Sequence, residues 1–400
     1  MERFDSEKFV KNQTETIRRD IGKEKALIAV SGGVDSSTCA VLVNRAIGSN
    51  LICIMLDDAF MREGEPERVS HLLSQPPLNL PMRVVNVRER FLRAMKGMRD
   101  AEEKRKMFRE TFYRALGETA KKEGCSVLVQ GTIAADIKET TGGIKTQHNV
   151  LEQMGIDPQK QFGFKVVEPL VSLYKEQVRM VARLLGIPKE ISERQPFPGP
   201  GLSVRVVGEI KVDKLETLGR ATRIAEEELS PHKPSQYFAV IVDNVETPQQ
   251  SSRRHVQEII ARQLNVPAMN VSVKILLDKA TGMKGGQRVY GNVACLRIQT
   301  TNGKLHRPSF EALKALQTKV IMDNPSFSRV FYIINEGEQK QPYAVALRAI
   351  STLDFLTADV YNIPWNTLTE TADKILAACP NLSEVYYDVT PKPPATVEME

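Results

Sequence analysis

The sequence predicts an α/β domain followed by an α+β domain. In the first half, short apolar runs alternate with stretches whose apolar residues are spaced three and four apart. This rhythm is typical of strands alternating with helices around a parallel sheet that is covered on both faces. In the second half, strand-like runs are separated by helical segments in an α+β pattern. Proline and glycine cluster at residues 196–201, where a helix cannot continue. We therefore place the boundary near residue 208, between domains 1–208 and 209–400.

The apolar periodicity also predicts individual elements in each domain. The first-domain strands are Ala26–Val30, Leu51–Leu56, Arg83–Val87, Ser126–Gln130 and Lys165–Glu168, and its helices include Ser36–Ala46 and Phe108–Lys122. The second-domain strands are Tyr237–Asp243, Asn270–Leu277, Val289–Gln299, Arg329–Asn335 and Ala344–Ser351, and its helices include Ser252–Leu264 and Phe310–Val320.

Two segments of the second domain resemble each other. Gly286-Gln287-Arg288-Val289-Tyr290 runs into Val293-Ala294-Cys295-Leu296-Arg297, and Glu338-Gln339-Lys340-Gln341-Pro342-Tyr343 runs into Val345-Ala346-Leu347-Arg348. These matches favour an internal duplication, with two lobes at residues 209–305 and 306–400.

The composition is that of a soluble globular protein, with 42% hydrophobic and 26% charged residues. No apolar stretch approaches the ~20 residues of a membrane-spanning helix, and the N-terminus lacks the apolar core of a secretory signal. The five cysteines are scattered without a CxxC pair, which argues against a zinc site, an iron–sulfur cluster or a disulfide framework. We expect core cysteines, a cytoplasmic location and no membrane partner.

The charge pattern does not favour a nucleic-acid partner. The net charge of +6 is mild, whereas a nucleic-acid-binding domain usually concentrates Lys and Arg in a run or on one face. The richest run, Glu102-Glu103-Lys104-Arg105-Lys106, mixes signs. It is interpreted as a solvated helix face.

The loop after the first predicted strand is the strongest functional signal. Ser31-Gly32-Gly33-Val34-Asp35-Ser36-Ser37 joins that strand to a helix. Backbone N–H groups and the positive end of the helix then point into one cavity that suits phosphate. The glycines allow close approach, and Asp35 is best used to hold a Mg²⁺ ion that bridges the phosphates. The alternative is a plain turn in which Asp35 or Ser36 caps the helix.

This seven-residue string resembles the loop of the PP-loop ATP pyrophosphatases, whose fold is a parallel sheet with helices on both faces. The resemblance implies cleavage of ATP between its α- and β-phosphates, giving an adenylylated substrate and pyrophosphate. It leaves the substrate open.

Three further segments narrow the substrate. They are Gln130-Gly131-Thr132 with the following Asp136, Glu139, Lys145 and Gln147-His148-Asn149-Val150; Arg194-Gln195-Pro196-Phe197-Pro198-Gly199-Pro200-Gly201; and Lys392-Pro393-Pro394-Ala395-Thr396-Val397-Glu398. Together with the loop, they resemble the ATP pyrophosphatase and dimerization portion of the GMP synthetase family, without a glutamine amidotransferase domain. The resemblance implies adenylylation of the C2 oxygen of xanthosine monophosphate (XMP), followed by amination to GMP.

The resemblance also implies roles for particular residues. Asp35, Lys145 and Ser37 are expected to be catalytic, and the Mg²⁺ ligands are expected to be Asp35, Asp136 and Glu139. The residues expected to bind ATP are Ser31, Gly32, Gly33, Val34, Asp35, Ser36, Ser37 and Gly131. Those expected to bind XMP are Phe197, Pro198, Gly199, Arg288, Gln341, Lys392, Val397 and Glu398. Ammonia is the second substrate, and we expect a separate glutaminase subunit and a homodimer.

Several positions depart from the family pattern. Gln147 and Gln195 stand where the family usually has histidine, Ala134-Ala135 replaces Tyr-Pro, and Gly286 replaces an acid before Arg288. Glutamine forms hydrogen bonds but does not titrate near neutral pH. Two alternatives therefore stay open: a PP-loop enzyme acting on a different nucleotide or nucleobase, and a homologue that binds nucleotides without turnover.

Overall fold

A computed structural model describes residues 4–134, 164–352 and 356–400. The chain packs as two compact units. The first unit is Met1–Ala94 with Met107–Phe197, and the second is Met95–Lys106 with Pro198–Glu400. These units differ from the predicted domain ranges in two respects: the division falls after Phe197 rather than near residue 208, and Met95–Lys106 packs with the second unit.

A parallel sheet forms the centre of the first unit. In the described residues before Pro198, the helices are α1 (Ser6–Ile21), α2 (Val34–Ile47), α3 (Glu65–Ser74), α4 (Arg88–Met95), α5 (Ala101–Glu123), α6 (Lys175–Leu184) and α7 (Lys189–Ser192). The strands are β1 (Ala26–Ala29), β2 (Leu51–Asp57), β3 (Met82–Asn86), β4 (Val127–Val129) and β5 (Lys165–Val167). All five pair in parallel in the order β3-β2-β1-β4-β5. The predicted strands and their parallel pairing are thus confirmed.

Helices cover both faces of this sheet because successive strand residues point to opposite sides. Ala26 and Ile28 of β1 belong to the core that contains α1, α2 and α6. Leu27, between them, belongs to the core on the other face, where Leu116 and Ala120 of α5 pack. All five cysteines are buried and free, as the sequence predicts.

The second unit is an α+β structure. Its helices are α8 (Val212–Leu229), α9 (Gln250–Leu264), α10 (Phe310–Asp323) and α11 (Trp365–Ala378), with short 3-10 turns at Gly201–Arg205, Ser230–His232 and Ala268–Asn270. Its strands are β6 (Gln236–Asp243), β7 (Val271–Ile275), β8 (Ala280–Lys284), β9 (Gln287–Ile298), β10 (Phe327–Glu336), β11 (Tyr343–Ser351), β12 (Asp359–Val360) and β13 (Leu382–Asp388). Within the part of the chain that the structure describes, no helix is both long and apolar enough to cross a membrane.

The main sheet of this unit contains two copies of one motif. In repeat A (α9, β7, β9, α10, β10), β9 pairs antiparallel with β7 and parallel with β10. In repeat B (α8, β6, β11, α11, β13), β11 pairs antiparallel with β6 and parallel with β13. The antiparallel pair β10–β13 joins the repeats. Repeat A is inserted between β6 and β11 of repeat B, so the repeats do not coincide with the predicted lobes 209–305 and 306–400.

The register of the strands supports the duplication residue by residue. In repeat A, Tyr332 on β10 lies opposite Leu296 on β9, and in repeat B, Tyr387 on β13 lies opposite Leu347 on β11. Each leucine is followed by an arginine, Arg297 or Arg348. The next position after the tyrosine differs, because it is Ile333 in repeat A and Asp388 in repeat B.

That difference gives repeat B a buried ion cluster. Asp388 Oδ2 accepts hydrogen bonds from Arg348 at 2.7 Å and from Arg329 at 2.8 Å, and all three side chains are fully buried. The two arginines also donate to backbone carbonyls of the C-terminal tail at Thr396, and Arg348 Nε reaches Val397 O at 2.9 Å. Asp388 therefore holds the donors that fix the tail.

We expect Asp388→Asn to destabilise the protein by about 3–5 kcal/mol, because it leaves two buried guanidinium groups without a neutralising carboxylate. Denaturant unfolding measures this change. Asp323→Asn is the matched control, since its exposed pair with Lys319 on α10 should contribute within about 0.5 kcal/mol. Equal effects of the two substitutions would contradict the role of Asp388.

Candidate functional site

The predicted phosphate loop lies at the point where the sheet order reverses. From β1 the chain continues to β2 on one side, and β4 pairs on the other side of β1. In open α/β sheets, ligands bind beyond the carboxyl ends of the strands at such a switch point. Residues 31–33 follow β1 there, and α2 begins at Val34.

Serine hydroxyls hold the loop in shape. Ser36 Oγ accepts the Ser31 N–H at 3.1 Å and donates to Gly33 O at 3.2 Å. The N-cap residue of α2 is Gly33, which has no capping side chain, and Asp35 lies in the first helical turn. Neither Asp35 nor Ser36 is therefore the helix N-cap, and the plain-turn alternative is wrong in that respect.

Two glycines let the surrounding chain approach this loop. Gly32 has φ +77°, and a Cβ atom there would lie 2.9 Å from Val69 Cγ2 on α3. A Cβ atom at Gly131, just after β4, would lie 3.1 Å from Asp35 C and from Ser36 N. Gly131 thus packs directly against the start of α2. It is one of the residues that the sequence predicts to bind ATP.

Asp35 has one engaged and one unengaged carboxylate oxygen. Its Oδ2 lies 2.6 Å from Lys175 Nζ, at the first position of α6. Its Oδ1 is buried and forms no hydrogen bond with the described residues. A carboxylate oxygen without a donor suits a hard divalent cation, so Asp35 fits the predicted Mg²⁺ ligand. Sequence reasoning missed Lys175, because nothing local marks a lysine that packing brings beside Asp35.

The other residues predicted for this site differ in their exposure, and some of them lie outside the described residues. Ser31 and Gly33 are exposed, whereas Val34 and Ser37 are buried. The Ser37 hydroxyl is buried without a hydrogen-bond partner among the described residues, so it does not line the open edge of the loop. Asp136, Glu139, Lys145 and Gln147 lie outside the described residues. Within the described ranges, no group of three His, Cys, Asp or Glu residues is placed to hold a metal ion.

A second acidic group lies at the carboxyl end of β2, next to the phosphate loop strand. Asp58 is buried and accepts the Phe60 N–H at 2.8 Å. Burial raises the pKa of Asp58 from 3.8 to about 7, against the lowering effect of that hydrogen bond. The carboxyl group is therefore partly protonated near neutral pH.

In the second unit, the β8–β9 hairpin lies against the C-terminal tail. Met283 N–H donates to Pro394 O, and Gly282 pairs with Ala395. A cavity of about 260 Å³ lies beside this contact. It is lined by Gln249, Lys279, Gly282, Met283, Lys284, Val289, Tyr290, Gly291, Asn292, Ser326, Phe327, Ser328 and Pro394. Arg288 lies opposite Met283 in the hairpin, so this contact connects Arg288 with the segment that carries Lys392.

The mixed-charge run 102–106 forms part of this region and is only in part the solvated face that the sequence predicts, with Glu102, Glu103 and Lys106 exposed. Lys104 is fully buried, and its ammonium donates to Val206 O at 2.7 Å and to the Glu400 carboxylate. Glu102 accepts a hydrogen bond from Arg288 at 2.8 Å. Burial lowers the pKa of Arg105, and the nearby Arg288 cation lowers it further. Sequence reasoning missed Lys104 and Arg105 because the run, two acidic residues followed by three basic ones, does not show which side chains are buried.

The predicted XMP residues of the tail are held by arginines. Glu398 forms a bidentate ion pair with Arg205, at 2.9 Å for both contacts, so its carboxylate is already engaged. Val397 contributes its carbonyl to Arg348. The backbone of Lys392 pairs with Ala358, with distances of 2.7 and 2.9 Å, which fixes the residue while its side chain stays half-buried.

Gln341 is not part of this cluster. Its carbonyl accepts a hydrogen bond from Ser383 Oγ at 2.8 Å, near the start of β13, whereas Lys392 follows the end of the same strand. β13 has seven residues, and at ~3.3 Å per residue its two ends are roughly 20 Å apart. Within one chain, the structure therefore separates Gln341 from Lys392.

The proline-rich loop carries the remaining predicted residues. Phe197 is half-buried and lies 4.1 Å, ring centroid to guanidinium carbon, from Arg62. Pro198 O accepts the Gly201 N–H at 2.9 Å, and Gly199 is exposed. Their contact with a purine stays a prediction.

Comparison with known proteins adds the family. Residues 6–188 match the PP-loop domain, and residues 333–399 match the GMP synthase C terminal domain. Similar proteins occur in Sulfurisphaera tokodaii (43% identity over 400 residues), Saccharolobus solfataricus (42% over 397) and Methanopyrus kandleri (39% over 404). All three are named as the same subunit of a glutamine-hydrolyzing GMP synthase, and each alignment covers 99% of this chain and 100% of the relative.

The Asp58 carboxyl predicts a pH-dependent contribution to stability. In the unfolded chain it loses its proton near pH 3.8, and in the folded chain near pH 7. Between these values the folded state binds more protons, so the free energy of unfolding falls as pH rises through this window. Asp58→Asn removes this effect. We expect the variant to gain stability relative to the parent by more than about 1 kcal/mol from about pH 5 to about pH 7.5.

Thermal unfolding at several pH values measures this difference. Asp323→Asn, on an exposed face of α10, is the control and should show no such trend. A variant-minus-parent difference that stays constant across the window would contradict the buried acid.

Proposed function

The chain belongs to this family of glutamine-hydrolyzing GMP synthase subunits, and from this premise we propose that it converts XMP to GMP. In the first step the C2 oxygen of XMP attacks the α-phosphorus of ATP, and pyrophosphate leaves. In the second step ammonia attacks C2, AMP leaves, and a proton is released. The products are GMP, AMP and pyrophosphate.

The proposal rests on the position of the phosphate loop and on the Asp35 oxygen beside it, which is unpaired within the described part of the chain. The loop follows β1 at the switch point, α2 begins with its N–H groups at the loop, and Asp35 Oδ1 is buried without a donor among the described residues. This combination suits a metal-bound triphosphate. We assign the β- and γ-phosphates to residues 31–36, and we assign the Gly131 turn to the same site.

Individual side chains then have distinct tasks. Lys175, already 2.6 Å from Asp35, is an ammonium that can pass to phosphate oxygens when the triphosphate binds. A cation in this position stabilises charge that builds on the departing pyrophosphate. Lys145 is proposed to share this role.

Asp35, with Asp136 and Glu139, would hold Mg²⁺. When bound, the ion neutralises phosphate charge and orients the oxygens of the triphosphate.

The second unit is proposed to hold the XMP phosphate. Lys392 is fixed by its backbone pairing beside the hairpin that carries Arg288. Arg105 joins these cations, since it lies within electrostatic reach of Arg288 and Glu398. We retain Phe197, Pro198 and Gly199 as the wall of the purine, and we assign Glu398 and Val397 to the tail that carries Lys392.

Ammonia is proposed to come from a separate glutaminase subunit. Free ammonia is scarce at neutral pH because most of it is ammonium, so delivery by a partner is an advantage. The name that the relatives share, one subunit of a glutamine-hydrolyzing enzyme, agrees with this division of labour. The cytoplasmic location and the homodimer stay predictions.

Pyrophosphate release tests the reaction. The purified chain with ATP, Mg²⁺ and ammonium should release pyrophosphate with XMP and not with IMP, AMP or GMP, and glutamine should not replace ammonium. Asp35→Ala should lower the rate by about 100-fold or more, because it removes a proposed ligand of the Mg²⁺ ion that neutralises the phosphate charge. Pyrophosphate release with another purine nucleotide would favour an enzyme that acts on a different substrate. Binding of nucleotides without pyrophosphate release would favour a homologue without turnover.

Lys392→Ala should raise KM for XMP by about tenfold and change kcat less, because a phosphate contact acts equally in the ground and transition states. Steady-state kinetics separates the two constants. Lys340→Ala is the matched control: Lys340 is exposed on the loop before β11, at the other end of the sheet from Lys392. A fall in kcat at unchanged KM would contradict the phosphate role of Lys392.

A further inference from the structure

A buried ion cluster in the first unit lies between the phosphate loop and Phe197. It consists of Glu65, the first residue of α3, with Arg62 and Arg194. The exposed fractions of these side chains are 6%, 6% and 16% respectively. Charges that are removed from water need close partners, so the three side chains constrain one another.

Glu65 is the centre of this cluster. Both of its carboxylate oxygens accept hydrogen bonds from Arg194, each at 2.6 Å, and Arg62 Nη1 lies 3.4 Å from Oε2. Burial favours the protonated acid, but the two arginines together lower the pKa of Glu65 below its ordinary value. A bidentate pair of this kind fixes orientation as well as distance.

On one side, Glu65 lies against the phosphate loop. A Cβ atom at Gly32 would be 3.4 Å from Glu65 Oε1 and 2.9 Å from Val69 Cγ2. The first turns of α3 therefore leave no free space beside Gly32. A displacement of this loop has to displace Glu65 or its partners.

On the other side of the cluster, Arg62 contacts Phe197, and Arg194 is close to Phe197 in the chain. The Arg62 guanidinium stacks on the Phe197 ring at 4.1 Å, and Arg194 is three residues before Phe197 in the chain. A cation over an aromatic ring is held by the ring's negative face. The ring is thus placed by one arginine through space and by the other through the backbone.

We propose that Glu65 is a positioning residue that makes ligand binding at the phosphate loop and the placement of Phe197 interdependent. This proposal rests on the proposed function for its consequence, because Phe197 is there the wall of the purine of XMP. Glu65 acts through Arg62 and Arg194 and contacts no reacting atom. Binding of ATP then orders the loop that receives the second substrate.

Kinetics of Glu65→Gln tests the consequence. The variant keeps the size of the side chain and removes its charge, so KM for XMP at saturating ATP and KM for ATP at saturating XMP should both rise by about tenfold, because coupling between two sites is reciprocal, while kcat changes less than about threefold. Glu65→Asp, which keeps the charge, should recover part of the loss. A rise in only one of the two KM values, or no change, would overturn the proposal.

Two further variants guard against misfolding and neighbour effects. If Glu65→Gln melts far below the parent, Arg194→Lys replaces it, since lysine keeps the charge and loses the fork. The same paired rise in the KM values for XMP and ATP is expected. Glu193→Gln removes an adjacent, largely exposed pair with Arg183 and should change neither constant.

A double-mutant cycle shows whether Glu65 acts through Phe197. If it does, Glu65→Gln combined with Phe197→Leu should raise KM for XMP no more than Phe197→Leu alone. Additive effects of the two substitutions would show that Glu65 has a separate role, and the proposal would fail.

Hydrogen exchange separates this proposal from the proposed function. A non-hydrolysable ATP analogue should slow exchange at the amides of Gln195, Phe197, Gly199 and Gly201 in the parent and not in Glu65→Gln, at saturating analogue for both. This measurement needs no XMP. Retained coupling without XMP-dependent pyrophosphate release would reject only the substrate assignment. XMP-dependent release with equal protection in both proteins would reject the role of Glu65.

Discussion

The second unit depends on one carboxylate. Asp388 neutralises Arg329 and Arg348 in a fully buried site, and these arginines donate to the carbonyls of the C-terminal tail. Two guanidinium groups beside each other repel and need a common anion to be buried. With that anion present, their remaining N–H groups position a segment that has no helix or strand of its own. Lys392, the proposed phosphate-binding residue, is part of this segment, so a structural ion cluster determines where that lysine lies.

The first unit depends on close packing around the phosphate loop. Gly32 lies against α3, and Gly131 lies against the start of α2, with no room for a side chain at either point. The loop is therefore built into the protein before any ligand binds. Preorganisation of this kind avoids a loss of conformational freedom on binding. The same close packing brings the Glu65 carboxylate against the loop at Gly32.

The duplicated sheet shows how two similar repeats acquire different tasks. Tyr332 and Tyr387 occupy equivalent positions in the register, but the next residue is apolar Ile333 in repeat A and Asp388 in repeat B. In repeat A, Arg297 turns to Glu336 at the surface, whereas in repeat B Arg348 is buried under the tail. Because β11 runs parallel to β13, Gln341, which precedes β11, lies at the start of β13, whereas Lys392 lies beyond its end. The family resemblance had placed both residues among those that bind XMP.

The sequence by itself determined the parallel sheet, its strands and the loop after β1, because apolar spacing and glycine torsions depend on neighbouring residues. It also indicated the family and the duplication. The partners of the charged residues were decided by the tertiary structure alone. Lys175 meets Asp35 from 140 residues away, Arg205 meets Glu398 from 193, and Lys104 meets Glu400 from 296. Local patterns carry no record of such pairs, since burial and the meeting of opposite charges arise only when distant elements pack together.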